Sequence, residues 1–390
     1  MSANGGKDLN KVSLIVSDLA GGGVIRAFLL AQAIEKLNYA VEIVGFLSNG
    51  EIYALPNYPL IVKSIRNQHY PGFLKSAWQL IRQIEGDILY ALKPKPSSFG
   101  VAWLKKVIRQ NPLLLDMDDW EMSWHGGDDW RYRPSLKQFY RDTLKPGGQL
   151  RNPDHPLYVN WMEGVISQAD AVTIDTHFLQ QRFGGTYVPN GKDTDWFNPE
   201  DYDAEQSREL YGLADFHVLM FPGAPRPHKG VEDVLEALNQ LGNPRLRLVI
   251  VGGSPYDNYD QTLIDRWGNW IIKLPRYSVQ QMPSVLAAAH AVVVPQRDTL
   301  TARAQFPLKI TDGMSMAKPV ISTFVGDIPE ILGGTGYLVD PGAPEQLAEK
   351  IQWLFFNIEE AQHQGKRARQ RCVERYSIQA MASQLAAVLP

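Results

Sequence analysis

The stretch FPGAPRPHKGVEDVLEAL, Phe221–Leu238, sets two cations, Arg226 and Lys229, in a loop between an apolar run and a helix-patterned run. At the carboxyl end of a parallel strand such a pair can bracket a diphosphate and neutralise charge on a leaving group. Gly223 in the same loop lets bare backbone approach a ligand. The alternative is a pair of solvated surface charges.

A second candidate is QFPLKITDGMSMAKPVI, Gln305–Ile321. Pro307 opens a short helix at a position that needs no N–H. The amides of that first turn, at Leu308 and Lys309 after Phe306, can then face an anion. Asp312, one turn on, can accept hydrogen bonds from a ribose or sugar hydroxyl, and Lys309 can fix a phosphate or the carboxylate. The competing reading is an i,i+3 ion pair on a helix face, worth only ~0.2–0.5 kcal/mol.

The third is SDLAGGGVIRAF, Ser17–Phe28, a glycine loop between a strand and a helix. A dinucleotide fingerprint needs G-x-G-x-x-G, but Arg26 stands at the third position. That fingerprint also needs an acid at the end of the second strand, whereas AVEIVGF carries Glu42 near its start. A nicotinamide-dependent oxidoreductase is therefore the weakest reading. Either the loop is a tight turn needing small residues, or Gly22 and Gly23 bring backbone N–H groups close to a ligand.

The elements that must position these loops follow from periodicity. Strand-like runs (KVSLIV, AVEIVGF, DILYAL, PLLLDMDD, ADAVTID) alternate with amphipathic stretches, and the alternation restarts with FHVLMFPG, RLRLVIVGG, AVVVPQ and PVISTF. Buried parallel strands joined by crossover helices produce this pattern. Two doubly wound modules are expected, joined near YVPNGKDTDWFNPE. At 390 residues the chain suits two domains. A net charge of −3 sets up no global positive field, so nucleic acid is not an expected partner. The single cysteine, Cys372, cannot form an internal disulfide, and no Cys/His spacing suggests zinc. Short apolar runs at the N-terminus and elsewhere predict neither a secretory leader nor a membrane span, hence a cytoplasmic protein with peripheral membrane contact left open.

One segment breaks the alternation. Between Trp120 and Trp161, four tryptophans (Trp120, Trp124, Trp130, Trp161) mix with Arg131, Arg133, Lys137, Arg141, Lys145 and Arg151. Such a mixture can line an amphipathic acceptor groove, rest at a membrane interface, or simply bury area. The tail QRCVERYSIQAMASQLAAVLP reads as a terminal amphipathic helix.

Together these segments resemble a family-4 glycosyltransferase of the GT-B fold over nearly the whole chain. YVPNGKDTDWFNP is similar to that family's interdomain motif, FPGAPRPHKGVEDVLEAL to its diphosphate loop, FPLKITDGMSMAKPVISTFVGDIPEIL to its donor helix, and GGGVIRAFLLAQAIEKLNYAVEIV to its N-terminal glycine loop. The resemblance implies two Rossmann-like, doubly wound parallel-sheet domains facing a central cleft. Residues 1–190 would bind the acceptor and 191–374 the nucleotide sugar, with a C-terminal helix at about 375–390 packing back on the first domain. It also implies retention of anomeric configuration with no metal and no cofactor beyond the nucleoside diphosphate sugar. Arg226, Lys229 and Asp118 would be catalytic. Gly22, Gly23, Gly223, Phe306, Pro307, Leu308, Lys309 and Asp312 would hold the donor with the two cations. Asp118, Asp119, Trp120 and Trp124 would lie on the acceptor side.

The chain departs from the family pattern in places. Ala304 stands where the first glutamate of the E-x7-E pair is expected, and Ala224 where an arginine is, so that Arg226 must serve. Asp118 takes the place of a histidine and can orient an acceptor hydroxyl or cap a helix. The Ala304 replacement keeps a non-catalytic sugar-nucleotide sensor in play, alongside a same-fold epimerase or hydrolase. No motif encodes the sugar, the base, the acceptor or the oligomeric state.

Overall fold

A computed structural model describes residues 10–55, 58–253 and 257–390. The expected lack of a secretory leader falls partly on residues 1–9, outside the described residues. The chain divides into two compact units: residues up to Pro189 together with Met381–Pro390, and Asn190–Ala380.

The first unit is built on β1 (Lys11–Val16), β2 (Ala40–Leu47), β3 (Ile61–Arg66), β4 (Ile88–Leu92), β5 (Leu113–Met117), β6 (Ala171–Ile174) and β7 (Thr186–Tyr187). All pairings are parallel, in the order β3-β2-β1-β4-β5-β6-β7. Helices flank the sheet, so β4 and β5 are buried at every residue, which is why they read as unbroken apolar runs. The chain leaves β1 toward one edge and returns at β4 toward the other. The sheet's topological switch point therefore lies between the carboxyl ends of β1 and β4, where a ligand crevice is expected.

Glu42 belongs to the framework of this sheet. Burial pushes its carboxyl up, but hydrogen bonds from Lys11, Lys63 and Ser13 win and hold it at about 2. Lys11 and Lys63 lie 2.7 and 2.8 Å away. It sits early in β2, away from the carboxyl end where a ribose would be read.

The second unit comprises β8 (His217–Phe221), β9 (Leu246–Val251), β10 (Ile271–Leu274), β11 (Ala291–Val294), β12 (Val320–Thr323) and β13 (Tyr337–Val339). These strands form a parallel sheet in the order β10-β9-β8-β11-β12-β13, with its switch point between β8 and β11. Apolar cores cover both faces, one around Met220, Val292 and Ile310 and the other around Leu219, Val293 and Ile321.

The tail is two helices rather than one. Ile358–Tyr376 and Ile378–Leu385 are separated at Ser377, whose hydroxyl accepts from the Ala380 N–H as a cap. There the backbone pairs with Lys192: the Lys192 N–H donates to Tyr376 O at 2.7 Å, and the Ile378 N–H to Lys192 O at 3.0 Å.

Candidate functional site

In the second unit, the loop after β8 carries Gly223 at φ +138, a conformation that L side chains rarely adopt. A Cβ there would lie 2.9 Å from Cε of Lys309 and 3.2 Å from its Nζ. The Lys309 side chain, from the first turn of the helix Leu308–Ser315, thus runs directly beside the loop, with Nζ 5.2 Å from the Phe221 ring centroid. A 3-10 turn, Pro227–Lys229, follows Arg226 and ends at Gly230. Gly230 has φ +65, and a Cβ on it would lie 1.9 Å from the Pro295 carbonyl, so only glycine lets this turn seat on the end of β11. The Arg297 N–H then donates to His228 O at 3.0 Å. The switch point of this sheet is thereby lined by Arg226, His228, Lys229 and Lys309.

These groups feel one another. Burial, then Lys229, Arg226 and Lys309, hold the His228 imidazole at about 4, so it is neutral near pH 7. Burial lowers the Lys309 ammonium too, against the pull of Asp312. A concentration of positive charge that depresses its own bases is a site poised for an anion.

Of the remaining residues expected here, Phe306 and Pro307 are buried and lead into the helix, with Pro307 at the cap. The Leu308 N–H donates to Phe306 O at 3.0 Å, so that amide is already used. Asp312 forms its ion pair not with Lys309 but with Lys192, whose ammonium also lies 3.2 Å over the Phe197 ring. Ala304 is fully buried, and the adjacent Arg303 is paired with Asp298 through two 2.6 Å bonds.

In the first unit, Gly22 and Gly23 precede the helix Val24–Glu35. A Cβ at Gly22 would meet nothing within 4 Å, so packing does not demand glycine there. A Cβ at Gly23 would lie 3.3 Å from Cε of Lys93, which leaves the end of β4. Lys93 in turn gathers the carboxylates that follow β5. Its Nζ is 2.6 Å from Glu121, 3.6 Å from Asp118 and 3.8 Å from Asp119. Burial alone would discharge Lys93, but Asp118, Glu121 and Asp119 hold it firmly protonated. Burial raises Asp118 even against Lys93, while Lys93 and Lys95 overcome burial at Glu121 and keep it at about 2. Asp118 is no helix cap; its carboxylate faces the lysine at the switch point.

Arg26, which spoils the dinucleotide fingerprint, is instead a strut. Its guanidinium is 2% exposed and clasps the fully buried Asp116 through bonds of 3.0 and 2.8 Å, while also donating to Val188 O at 2.8 Å. This pair ties the first helix to β5, two residues before Asp118.

Trp120 is buried, its face capped by the Arg182 guanidinium at 3.8 Å, and its Nε1 donates to Glu163 at 3.4 Å. Trp124 is 41% exposed, with Nε1 donating to Asp119 at 2.9 Å. The structure therefore brings Gly22, Gly23, Asp118, Asp119 and Trp124 to one end of the first sheet, and Gly223, Arg226, Lys229 and Lys309 to one end of the second.

Sequence reasoning missed Lys93, Glu121, His228 and Lys192. Lys93 had a readable signal, because KPK directly follows the apolar run DILYAL just as the cations follow β8. Lys192 had none, since its partner Asp312 is 120 positions away.

Comparison with known proteins agrees with this picture. Residues 216–357 match the family model described as Glycosyl transferases group 1. A GDP-mannose-dependent phosphatidylinositol monomannoside mannosyltransferase of Mycolicibacterium smegmatis is 25% identical over 250 residues, 60% of this chain and 65% of that protein. An uncharacterized glycosyltransferase of Methanocaldococcus jannaschii is 29% identical over 161 residues, covering 40% of this chain and 44% of that protein. The aligned stretch thus spans about half to two thirds of these curated relatives' lengths. Among solved structures, Anabaena HepE in complex with UDP-glucose superposes with a TM-score of 0.74 at 19% identity, covering 97% of this chain and 99% of that one. WaaG, a glycosyltransferase involved in lipopolysaccharide biosynthesis, gives 0.65 at 14% identity over 97% of this chain and 99% of that one. Residues 216–357, within the second unit, thus resemble the glycosyl transferases group 1, and the two parallel-sheet units have the architecture of the GT-B fold.

Proposed function

We propose that the protein transfers a sugar from a nucleoside diphosphate sugar to a hydroxyl of an acceptor, with retention of configuration and without a metal. The observation that carries this reading is the gathering of Arg226, Lys229 and Lys309 around His228, with Lys309 against Gly223, at the switch point of the domain that matches group 1. In this reading the diphosphate sits against these cations, and they stabilise the charge it gains as its bond to the sugar's anomeric carbon breaks. The acceptor hydroxyl attacks the anomeric carbon from the same face as the departing diphosphate and passes its proton to that diphosphate, so no enzymic nucleophile is required. Asp312, held by Lys192, offers a carboxylate to the ribose. Asp118, raised by burial, orients the acceptor hydroxyl from the first unit, and Gly22 leaves room for a ligand against the backbone.

The test is direct. UDP-, GDP-, ADP- and TDP-sugars are screened for thermal stabilisation, and the best donor is assayed with an acceptor panel. Lys229→Ala and Lys309→Met should each lose roughly 2.7–4 kcal/mol of transition-state stabilisation, about 100- to 1,000-fold in kcat/KM. Unchanged turnover in both would end the proposal. EDTA should leave the rate unaltered. Turnover with donor alone would instead mark an epimerase or hydrolase, and binding without transfer a sensor.

Peripheral membrane contact on the cytoplasmic face belongs to the same proposal, and the helix Leu136–Leu144 supports it. Leu136, Phe139, Tyr140 and Leu144 are 92%, 50%, 57% and 65% exposed. Arg133, Lys137, Arg141 and Lys145 run beside them at every fourth residue. Adjacent apolar and basic stripes suit an anionic bilayer surface. Among the described residues no helix is long and apolar enough to cross a membrane.

A further inference from the structure

The Trp- and Arg-rich segment of the first unit encloses a concavity of about 630 Å³, a volume suited to a small ligand. Its chemistry is one-sided. Arg131, Arg133, His69, His125 and His155 line it, and no Asp or Glu does. Neither arginine is in an ion pair among the described residues, and Arg131 instead donates to the carbonyls of Asp128 and Trp130 at 2.5 and 2.7 Å. Its guanidinium is thus held in place by carbonyl dipoles, with Asp128 within electrostatic reach but not in an ion pair with it.

Aromatic rings make up part of the wall. Trp130 and Tyr132 both meet the His155 ring edge-on, at 6.1 and 5.4 Å between centroids. The wall is pre-built. Tyr132 donates its hydroxyl to the buried Asp142 at 2.8 Å, and the Arg151 Nε donates to Tyr70 O at 2.7 Å. His155 Nδ1 accepts from the Leu157 N–H at 3.2 Å, which leaves its Nε2 as a donor. The concavity also adjoins the cluster at the end of β5, because His125 lies within electrostatic reach of Glu121 and Lys95.

We propose that this concavity binds an anionic saccharide, a sugar bearing phosphate or carboxylate, whether free or as the head group of a lipid. Sugar rings stack on aromatic faces, while a guanidinium matches a phosphate or carboxylate through paired N–H donors. The inference rests on the reading of the first unit as the acceptor side and names the acceptor class that side would take.

Calorimetric titration with glucose 6-phosphate, glucuronate, glucose and inorganic phosphate tests it. The sugar phosphate should saturate one site, and the two fragments should each bind at least roughly tenfold more weakly. The Arg131→Ala/Arg133→Ala double variant should weaken the sugar phosphate about tenfold or more, and Arg133→Lys, which keeps the charge, by less. Lys229→Ala should leave this binding unchanged while losing the nucleotide response, so failure here and failure of the donor site are separable. Release of the protein from phosphatidylcholine vesicles containing a glucuronosyl diacylglycerol on adding glucose 6-phosphate, with no such release from vesicles carrying phosphatidylglycerol instead, would place a lipid head group in the site. Saturation without such release would assign a free saccharide. Absence of saturable binding by either glucose 6-phosphate or glucuronate, or binding that the double variant leaves intact, overturns the proposal.

Discussion

Replacing Arg26 by methionine tests how the first unit holds its functional end together. The guanidinium and the Asp116 carboxylate are 2% and 0% exposed, and two bonds of 3.0 and 2.8 Å join them. With Arg26 gone, the carboxylate keeps the Thr173 hydroxyl at 2.7 Å as a donor but has lost its countercharge. Stranding one member of a buried pair costs about 3–5 kcal/mol. For a unit of this size each kcal/mol lowers Tm by ~2–4 °C, so a fall of roughly 6–20 °C is expected by calorimetry. Removing both charges tells the pair's net contribution from the cost of an orphan. Arg26→Met/Asp116→Leu should recover to within about 1 kcal/mol of the parent, because desolvating the pair offsets most of its attraction. The single variant should also blunt any ligand binding that depends on Asp118, which follows Asp116 by two residues. A single variant melting within about 0.5 kcal/mol of the parent, or a double variant less stable than the single one, would refute the strut.

Other consequences are checkable with simpler experiments. Gly230→Ala forces a methyl to 1.9 Å from the Pro295 carbonyl at φ +65, so it should lower Tm and abolish stabilisation by nucleotide at concentrations that protect the parent. A diphosphate beside His228 should raise its imidazole from about 4 toward its ordinary value. Binding then takes up a proton, and affinity for an NDP-sugar should rise as pH falls from 7 to 5. The gain is up to roughly 20-fold if the ordinary value is restored, and His228→Gln should flatten that profile by titration calorimetry. Lys137→Glu/Arg141→Glu should reduce co-sedimentation with anionic vesicles by about 30-fold or more, given ~1 kcal/mol per basic residue. Raising salt should weaken the parent in the same assay, and a variant that sediments like the parent would remove this helix from the membrane reading.

Strand and helix periods were legible because they are local. A run such as DILYAL or AVVVPQ reports burial on both faces wherever it later pairs. The loops after β1 and β8 were legible for a related reason. Glycine, proline and cation requirements at a strand's carboxyl end are written into a few consecutive residues. Gly223 and Gly230 show φ values of +138 and +65, and Gly230 also approaches the Pro295 carbonyl too closely for a Cβ.

Partners distant in the chain were not legible. Arg26 looked like a defect in a glycine fingerprint until β5 delivered Asp116 from 90 positions away. Asp312 looked like a partner for Lys309, three residues off, but Lys192 reaches it first. The tryptophan-rich segment could line a groove, meet a membrane or bury area, and the fold treats its parts differently, burying Trp120 while leaving the apolar face of Leu136–Leu144 exposed.

By itself, then, the sequence determined two parallel-sheet modules and the loops at their strand ends, since backbone conformation and burial period depend on residues within a turn or two. Which charges meet was decided only by the tertiary structure. Strand order sets those encounters, and the energy of a buried ion depends on the countercharge that folding delivers to it.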